Sequence, residues 1–206
     1  MRYRFYRVHK YVCYELAEFE KETAKTDFTD APSVKLLKEK WDKLAQLLEA
    51  HAAYEDEVLH ELLRKKNNLV QNKLEQEHRS HAQSMIELTR QLDGIFDLGN
   101  AQDKILQGNS FYLAYRLFYS EMLRHLYDEE KIILPELQAL YTDKELAASQ
   151  AKTYAKMNPQ HMLDMLLVLF PHFNAEDKAF FLQEMQNAEP KKFEEVWVQL
   201  PEKYKN

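Results

Sequence analysis

Two stretches of this chain place a titratable pair, His-x-x-x-Glu, inside what is otherwise an apolar helical stripe. In Phe118–Ile132 the inward positions, stepping by four and three, are Phe118, Met122, His125, Glu129 and Ile132. Upstream the same step runs through Leu37, Trp41, Leu44, Leu48, His51, Glu55, Val58 and Leu62. A helix aligns such positions on one face. Burying an imidazole and a carboxylate there is costly unless something compensates them. Two further stripes carry histidine alone: Phe5, His9, Val12, Leu16, Phe19, and Leu74, His78, His81, Met85, Leu88, Leu92. Four amphipathic helices thus each aim histidine inward and two add glutamate. The pattern predicts an all-α protein, an antiparallel up-down four-helix bundle built around a metal centre.

The heights of these residues support one centre. In a helical hairpin, residues equidistant from the turn lie level, with about 1.5 Å of rise per residue. A first turn near 29–30 sets His9 opposite position 50, beside His51. A connection near 102 sets His78 opposite position 126, beside His125, and the Asn67-Asn68 turn sets it opposite position 57, near Glu55. Histidine and glutamate four apart lie one turn apart on one face, so each such helix offers an imidazole and a carboxylate that spans towards a second ion. His9, His51, Glu55, His78, His125 and Glu129 then form a donor set for two metals, with positions left for solvent, dioxygen or nitric oxide. Imidazole and carboxylate suit iron, manganese and zinc, and the lack of thiolates disfavours a structural zinc site.

Three Gly and six Pro in 206 residues argue for long helices and few tight turns. Helical patterns run over about 2–24, from the capping groups at 29–33 to Lys66, over 69–96, and over 110–141, where Pro135 predicts a kink or early break. From 143 short apolar patterns alternate with Pro-containing breaks, predicting three or four short helices. The expected domains are 1–141, the metal-binding bundle, and 142–206, a short-helix extension packed on it. There Met157, Met162, Met165 and Met185 read as core, and His161 and His172 as surface or capping residues. A net charge of −6 gives no reason to expect nucleic acid. No window approaches a membrane span, and the basic N-terminus lacks the apolar core of a signal peptide. The single cysteine, Cys13, fits a buried thiol in a reducing compartment, so a cytoplasmic protein is expected.

The ordered set His9 … His51-x-x-x-Glu55 … Glu77-His78 … His125-x-x-x-Glu129 resembles the hemerythrin-like, or HHE cation-binding, domain over roughly residues 1–140. The segments MNPQHM, FPHF and EPKKFEEVW are similar to a tail found on some bacterial members. The resemblance implies an oxo- or hydroxo-bridged centre of two non-haem irons, with manganese or zinc able to replace iron in a preparation. It implies a small diatomic partner, dioxygen or nitric oxide, and a binding or sensing protein more than a turnover enzyme. Members bind dioxygen, sense oxygen, iron or redox state, or serve nitrosative-stress defence and the repair of iron centres. One departure stands out. Oxygen-carrying hemerythrins have two histidines four apart on the third helix, whereas the positions four either side of His78 are Leu74 and Ala82. His81, three along, is the remaining candidate ligand. Without it, sensing, redox chemistry or iron handling is favoured over reversible oxygen carriage. Glu77, one residue off the stripe, is expected to be solvated or to act behind the ligands.

Two rivals stay open. A ferritin-like di-iron oxidase would use Glu57-x-x-His60 and Glu75-x-x-His78, but these straddle one short turn and His60 lies off the stripe of Val58 and Leu62. A metal-free helical module would present the aromatic first helix (Tyr3, Phe5, Tyr6, Tyr11, Tyr14, Phe19) as a partner surface; under any reading the C-terminal helices offer a surface for a protein partner or self-association. Phe111, Tyr112, Tyr115 and Tyr119 either line an access route or pack.

Overall fold

The computed structural model describes residues 2–205; Met1 and Asn206, the outer ends of the two expected domains, lie outside the described residues. Every regular element among the described residues is helical, so the protein is all-α. By its contacts the chain divides into two compact units, one spanning Val12–Ile133 and one formed by the residues up to Tyr11 with those from Leu134 onward.

The Val12–Ile133 unit contains most of α1 (His9–Lys25), then α2 (Ala31–Tyr54), α3 (His60–Lys65), α4 (Asn72–Gly94) and α5 (Ala101–Asp128). Local chemistry sets the ends. Asp30 caps α2 by accepting from the Ser33 amide, with Pro32 in the first turn where its missing N–H costs nothing. At the end of α3, Asn67 turns left-handed at φ 54 and the Asn68 amide reaches back to the Leu63 carbonyl, a closure that asparagine tolerates.

The fourth helix starts earlier than the expected position near 110. Asn100 accepts from the Asp103 amide and α5 begins at Ala101, carrying Gly108 through its interior. The glycine is not a break. The Phe28 ring lies where a Cβ at Gly108 would stand, so only glycine lets that ring lie against the helix.

One apolar core joins α1, α2, α4 and α5. At its centre the Phe19 ring lies 5.4 Å from Trp41 and 4.7 Å from Tyr115, and Trp41 lies 6.1 Å from Phe118. The polar atoms of these rings are satisfied: Trp41 Nε1 donates to Thr89 Oγ1 and Tyr115 donates to the Leu16 carbonyl. Phe111 and Tyr115 are fully buried; they pack. Cys13 is half-buried, and burial raises its thiol above the ordinary value. Further contacts pair Lys40 with Glu22, Lys38 with Asp93, Arg64 with Glu75, Lys73 with Asp128 and Tyr112 with Glu20.

Two π-helical turns interrupt the long helices, over Glu55–Leu59 and Glu129–Ile133. Each holds one more residue per turn than an α-helix, and each slips the inward stripe by one position. After Glu55 the buried residues are Leu59 and Leu63, whereas Val58 and Leu62 are only half-buried. After Glu129 they are Ile133, Leu134 and Leu137, with Ile132 half-buried. The stripe therefore departs from the expected step of four and three at both glutamates. Pro135 follows the second π turn as the second residue of α6 (Leu134–Leu140), where the α-helical ladder has already been broken.

The other unit holds a 3-10 turn (Tyr6–Val8), α6, α7 (Asp143–Lys156), α8 (Pro159–Leu169), α9 (Ala175–Ala188) and α10 (Pro190–Gln199). Thr142, Asn158 and Asn174 cap α7, α8 and α9. Its own core is built on Tyr154, Met162, Leu166, Phe170, Met185 and Val196, with Met157 and Met165 packed at its edge. Arg7 ion-pairs with the buried Asp177 at 3.2 Å and lies over the Phe180 ring at 3.4 Å. The Glu184 carboxylate accepts from the hydroxyls of Tyr3 and Tyr154. His161 is exposed, and the His172 ring lies 5.1 Å from Tyr11.

Candidate metal centre

His51, Glu55, His78, Glu129 and His125 of the Val12–Ile133 unit form one continuous cluster. His51 Nε2 lies 3.3 Å from Glu55 Oε1, and Glu55 Oε2 lies 3.4 Å from His78 Nε2. His78 Nε2 is 3.7 Å from Glu129 Oε1, which in turn is 3.3 Å from His125 Nε2. Donor atoms of Glu55, His78, His125 and Glu129 all fall within 4.8 Å of one another. Both glutamates are essentially inaccessible, at 1% and 0% exposure. The helix register explains this convergence. Each His-x-x-x-Glu pair closes an α-helical run, so histidine and carboxylate sit one turn apart on one face. The π turn then begins at the glutamate itself. Such turns concentrate at functional sites.

A set of outer hydrogen bonds orients the imidazoles. Asp56 Oδ1 accepts from Nδ1 of His78 at 3.0 Å and from Nδ1 of His60 at 2.9 Å. Glu77 Oε2 accepts from His125 Nδ1 at 2.9 Å. A carboxylate only accepts, so these Nδ1 atoms carry protons and Nε2 is the nitrogen turned inward. Neither His78 Nε2 nor His125 Nε2 forms a hydrogen bond, although both are fully buried. Imidazoles that ligate metals are commonly held in this way, one nitrogen to a carboxylate and the other to the ion.

The electrostatics point the same way. Burial, the largest influence on His78, works to lower its pKa, but the Glu129 and Glu55 carboxylates outweigh it and raise the value to about 10. His125 is likewise raised: burial opposes, and Glu129 and Glu77 prevail. Without metal, the cluster therefore retains protons where a cation would otherwise balance the two glutamates. His60 is lowered by burial, and His81 falls to about 4 through burial and the neighbouring His125 and His78.

Of the residues singled out from the sequence, His51, Glu55, His78, His125 and Glu129 come together in this cluster. His9 opens α1, is buried, and has the Tyr6 ring 4.6 Å away; it belongs to the other contact unit. His81 is buried but joins no group of converging donors among the described residues. It lines an adjacent cavity of about 290 Å³. The ferritin-type pairs do not converge: Glu57 is exposed and Glu75 is paired with Arg64. Asp56 and His60 gain roles that helical spacing hid. The π turn brings His60 to full burial, stacked on His78 with centroids 5.6 Å apart. Glu77, off the stripe, acts behind His125.

The model of the hemerythrin HHE cation binding domain matches residues 1–137. No match was found among curated proteins or solved structures. With well over half of its length covered and an acid–imidazole cluster at its centre, this chain belongs to the hemerythrin HHE cation-binding family.

Proposed function

We propose that the protein is a non-haem di-iron protein of the hemerythrin type, which binds or senses dioxygen, nitric oxide, or the redox and iron state of its surroundings. The observation that carries this reading is the unbroken run His51–Glu55–His78–Glu129–His125, with both inner glutamates buried and the outer nitrogens of His78 and His125 clamped. Glu55 and Glu129 each lie between histidines of different helices, the placement expected of carboxylates that bridge two ions. The proposed ligands are His9, His51, Glu55, His78, His125 and Glu129. His9 lies on the face of α1 that also carries Val12 and Leu16, and supplies a further nitrogen. When bound, a pair of irons would supply reversible redox chemistry and open positions for a diatomic molecule. The chain's own part is to fix the imidazoles, share the carboxylates between ions and keep the surroundings apolar.

The same reading takes residues 1–141 as the metal domain and 142–206 as an extension, and takes α1, α2, α4 and α5 as an up-and-down bundle. The paired contacts support the up-and-down arrangement. Along α1 and α2, α2 and α4, α4 and α5, and α5 and α1, residue numbers rise on one helix as they fall on the next, as in Lys38–Asp93 and Trp41–Thr89 between α2 and α4. Location in the cytoplasm follows from the single cysteine under the same reading.

Metal analysis and an optical spectrum of the purified full chain test the proposal. Two irons per chain with near-ultraviolet charge-transfer bands are expected. His51→Ala and His125→Ala are expected to abolish loading while circular dichroism stays helical. Full occupancy in both variants would overturn the assignment.

A further inference from the structure

A cavity of about 290 Å³ lies between α2 and α4, beside the donor cluster and within the Val12–Ile133 unit. His51, His78 and His125 form its inner side, and Leu48, Met85 and Met122 supply apolar wall. Its rim includes Ala53 and Ala82, both exposed, one on each helix. Alanine at these positions leaves a gap that any larger side chain would narrow. The volume, at the lower edge of ordinary ligand pockets, readily holds a molecule of two or three heavy atoms together with waters.

Of the polar side chains on this wall outside the donor cluster, Glu49, Asp56, Arg79 and His81, only His81 is buried. His81 is 7% exposed, and its Nδ1 is buried with no hydrogen-bond partner. Its ring lies 6.0 Å from that of Phe118 and 5.0 Å from that of His125. A buried imidazole nitrogen left unpaired in an apolar wall is unfavourable. A hydrogen-bonding guest in the cavity would remove that penalty. An imidazole can present an N–H donor in either charge state, which a guest that accepts a hydrogen bond would satisfy.

We propose that this cavity is the route by which a small molecule that accepts a hydrogen bond reaches the centre, and that His81 holds that molecule by a hydrogen bond and does not ligate the metal. The inference rests on the di-iron reading above and goes beyond it, because it assigns the path, the chemical class of the guest and a role for His81. The guest meets the inner side of the cavity at His51, His78 and His125, the nitrogens of the proposed centre. Its specificity would come from size, set by the alanine rim, and from hydrogen-bond acceptance, set by His81.

The test uses the full chain loaded with iron and oxidised, with azide as the probe. Rate and affinity are read from the optical change, and metal content and melting temperature are read on every variant. Ala82→Trp and Ala53→Trp, both at exposed positions, are expected to slow azide binding by about tenfold or more without changing metal content, as a narrowed gate does. His81→Leu is expected to weaken azide affinity by about tenfold, the loss of one hydrogen bond to an anion, again at full metal content, and His81→Gln should recover most of it. Full metal with unchanged azide rates and affinities in all of these variants would overturn the inference alone. Loss of metal in His81→Leu would overturn it too, by making His81 a ligand. Absence of iron in the unsubstituted protein would overturn the di-iron reading and this inference together.

Discussion

The Val12–Ile133 unit fills one continuous interior in two different ways. Around Trp41 the helices interlock aromatic rings, and each polar atom of Trp41 and Tyr115 has a partner from a neighbouring helix. Around Glu129 the same helices meet through imidazoles and carboxylates, with His78 Nε2 and His125 Nε2 buried and unbonded. The first layer is what a core needs in order to fold. The second is what a core tolerates only for something it will hold. The contrast teaches that packing and binding are divided along the helix axis, so that the aromatic layer can be perturbed with little effect on binding.

Substitutions break or sharpen this division. The largest expected effect is in the aromatic layer: Trp41→Ala should cost about 3–5 kcal/mol of unfolding free energy, measured by urea titration, with metal stoichiometry unchanged at low temperature. A matching loss of metal would show that the layers are not separable. Next, chelation should lower the melting temperature of the loaded protein, because an ion bound only by the folded state stabilises it; His125→Ala, which cannot load, should melt at the same temperature with or without chelator. Third, Asp56→Ala, at a residue with a 42% exposed side chain, should weaken metal affinity by about 10–100-fold through release of the His78 ring, read by chelator competition, with the helical content intact. Unchanged affinity would remove Asp56 from the site.

The smallest effect is a slope with pH. The His78 pKa is raised in the folded, metal-free protein to about 10, against about 6.5 when unfolded. Its contribution to stability is therefore complete below about pH 6.5 and is lost as pH rises through about 10. The melting temperature of the metal-free protein should fall across that window. Metal must displace the same proton, so loading should tighten with rising pH. A flat profile for both would contradict the placement of His78 between Glu55 and Glu129.

Much of this was legible in the chain itself. Stripes that step by four and three placed Trp41, Phe118, His51 and His125 inside, because an α-helix repeats nearly every 3.6 residues. The pattern failed where the helix ceased to be α. Val58, Leu62 and Ile132 were expected inside and are half-buried, and His60 was expected off the stripe and is fully buried. No residue in EDEVL or EEKII announces a π turn, since nothing in either composition disfavours an ordinary helix. Gly108 misled in a similar way. Glycine commonly marks a break, and here it marks the close approach of Phe28, a contact between residues distant in sequence. The outer bonds of Asp56 and Glu77 were hidden for the same reason, because each reaches a histidine on a different helix.

The turns at Glu55–Leu59 and Glu129–Ile133 bear on any attempt to redesign this scaffold. One residue of α-helix is a rotation of about 100°. Regularising either turn to an α-helix with no residue removed would swing everything beyond it, including His60 with Leu63 or Ile133 with Leu137, out of the interior. A version of this chain idealised for smooth helices would keep every residue in its text and lose His60 and the apolar residues beyond each glutamate from the interior. Irregularity at those two points is the condition under which the acidic pair and the hydrophobic interior occupy one helix.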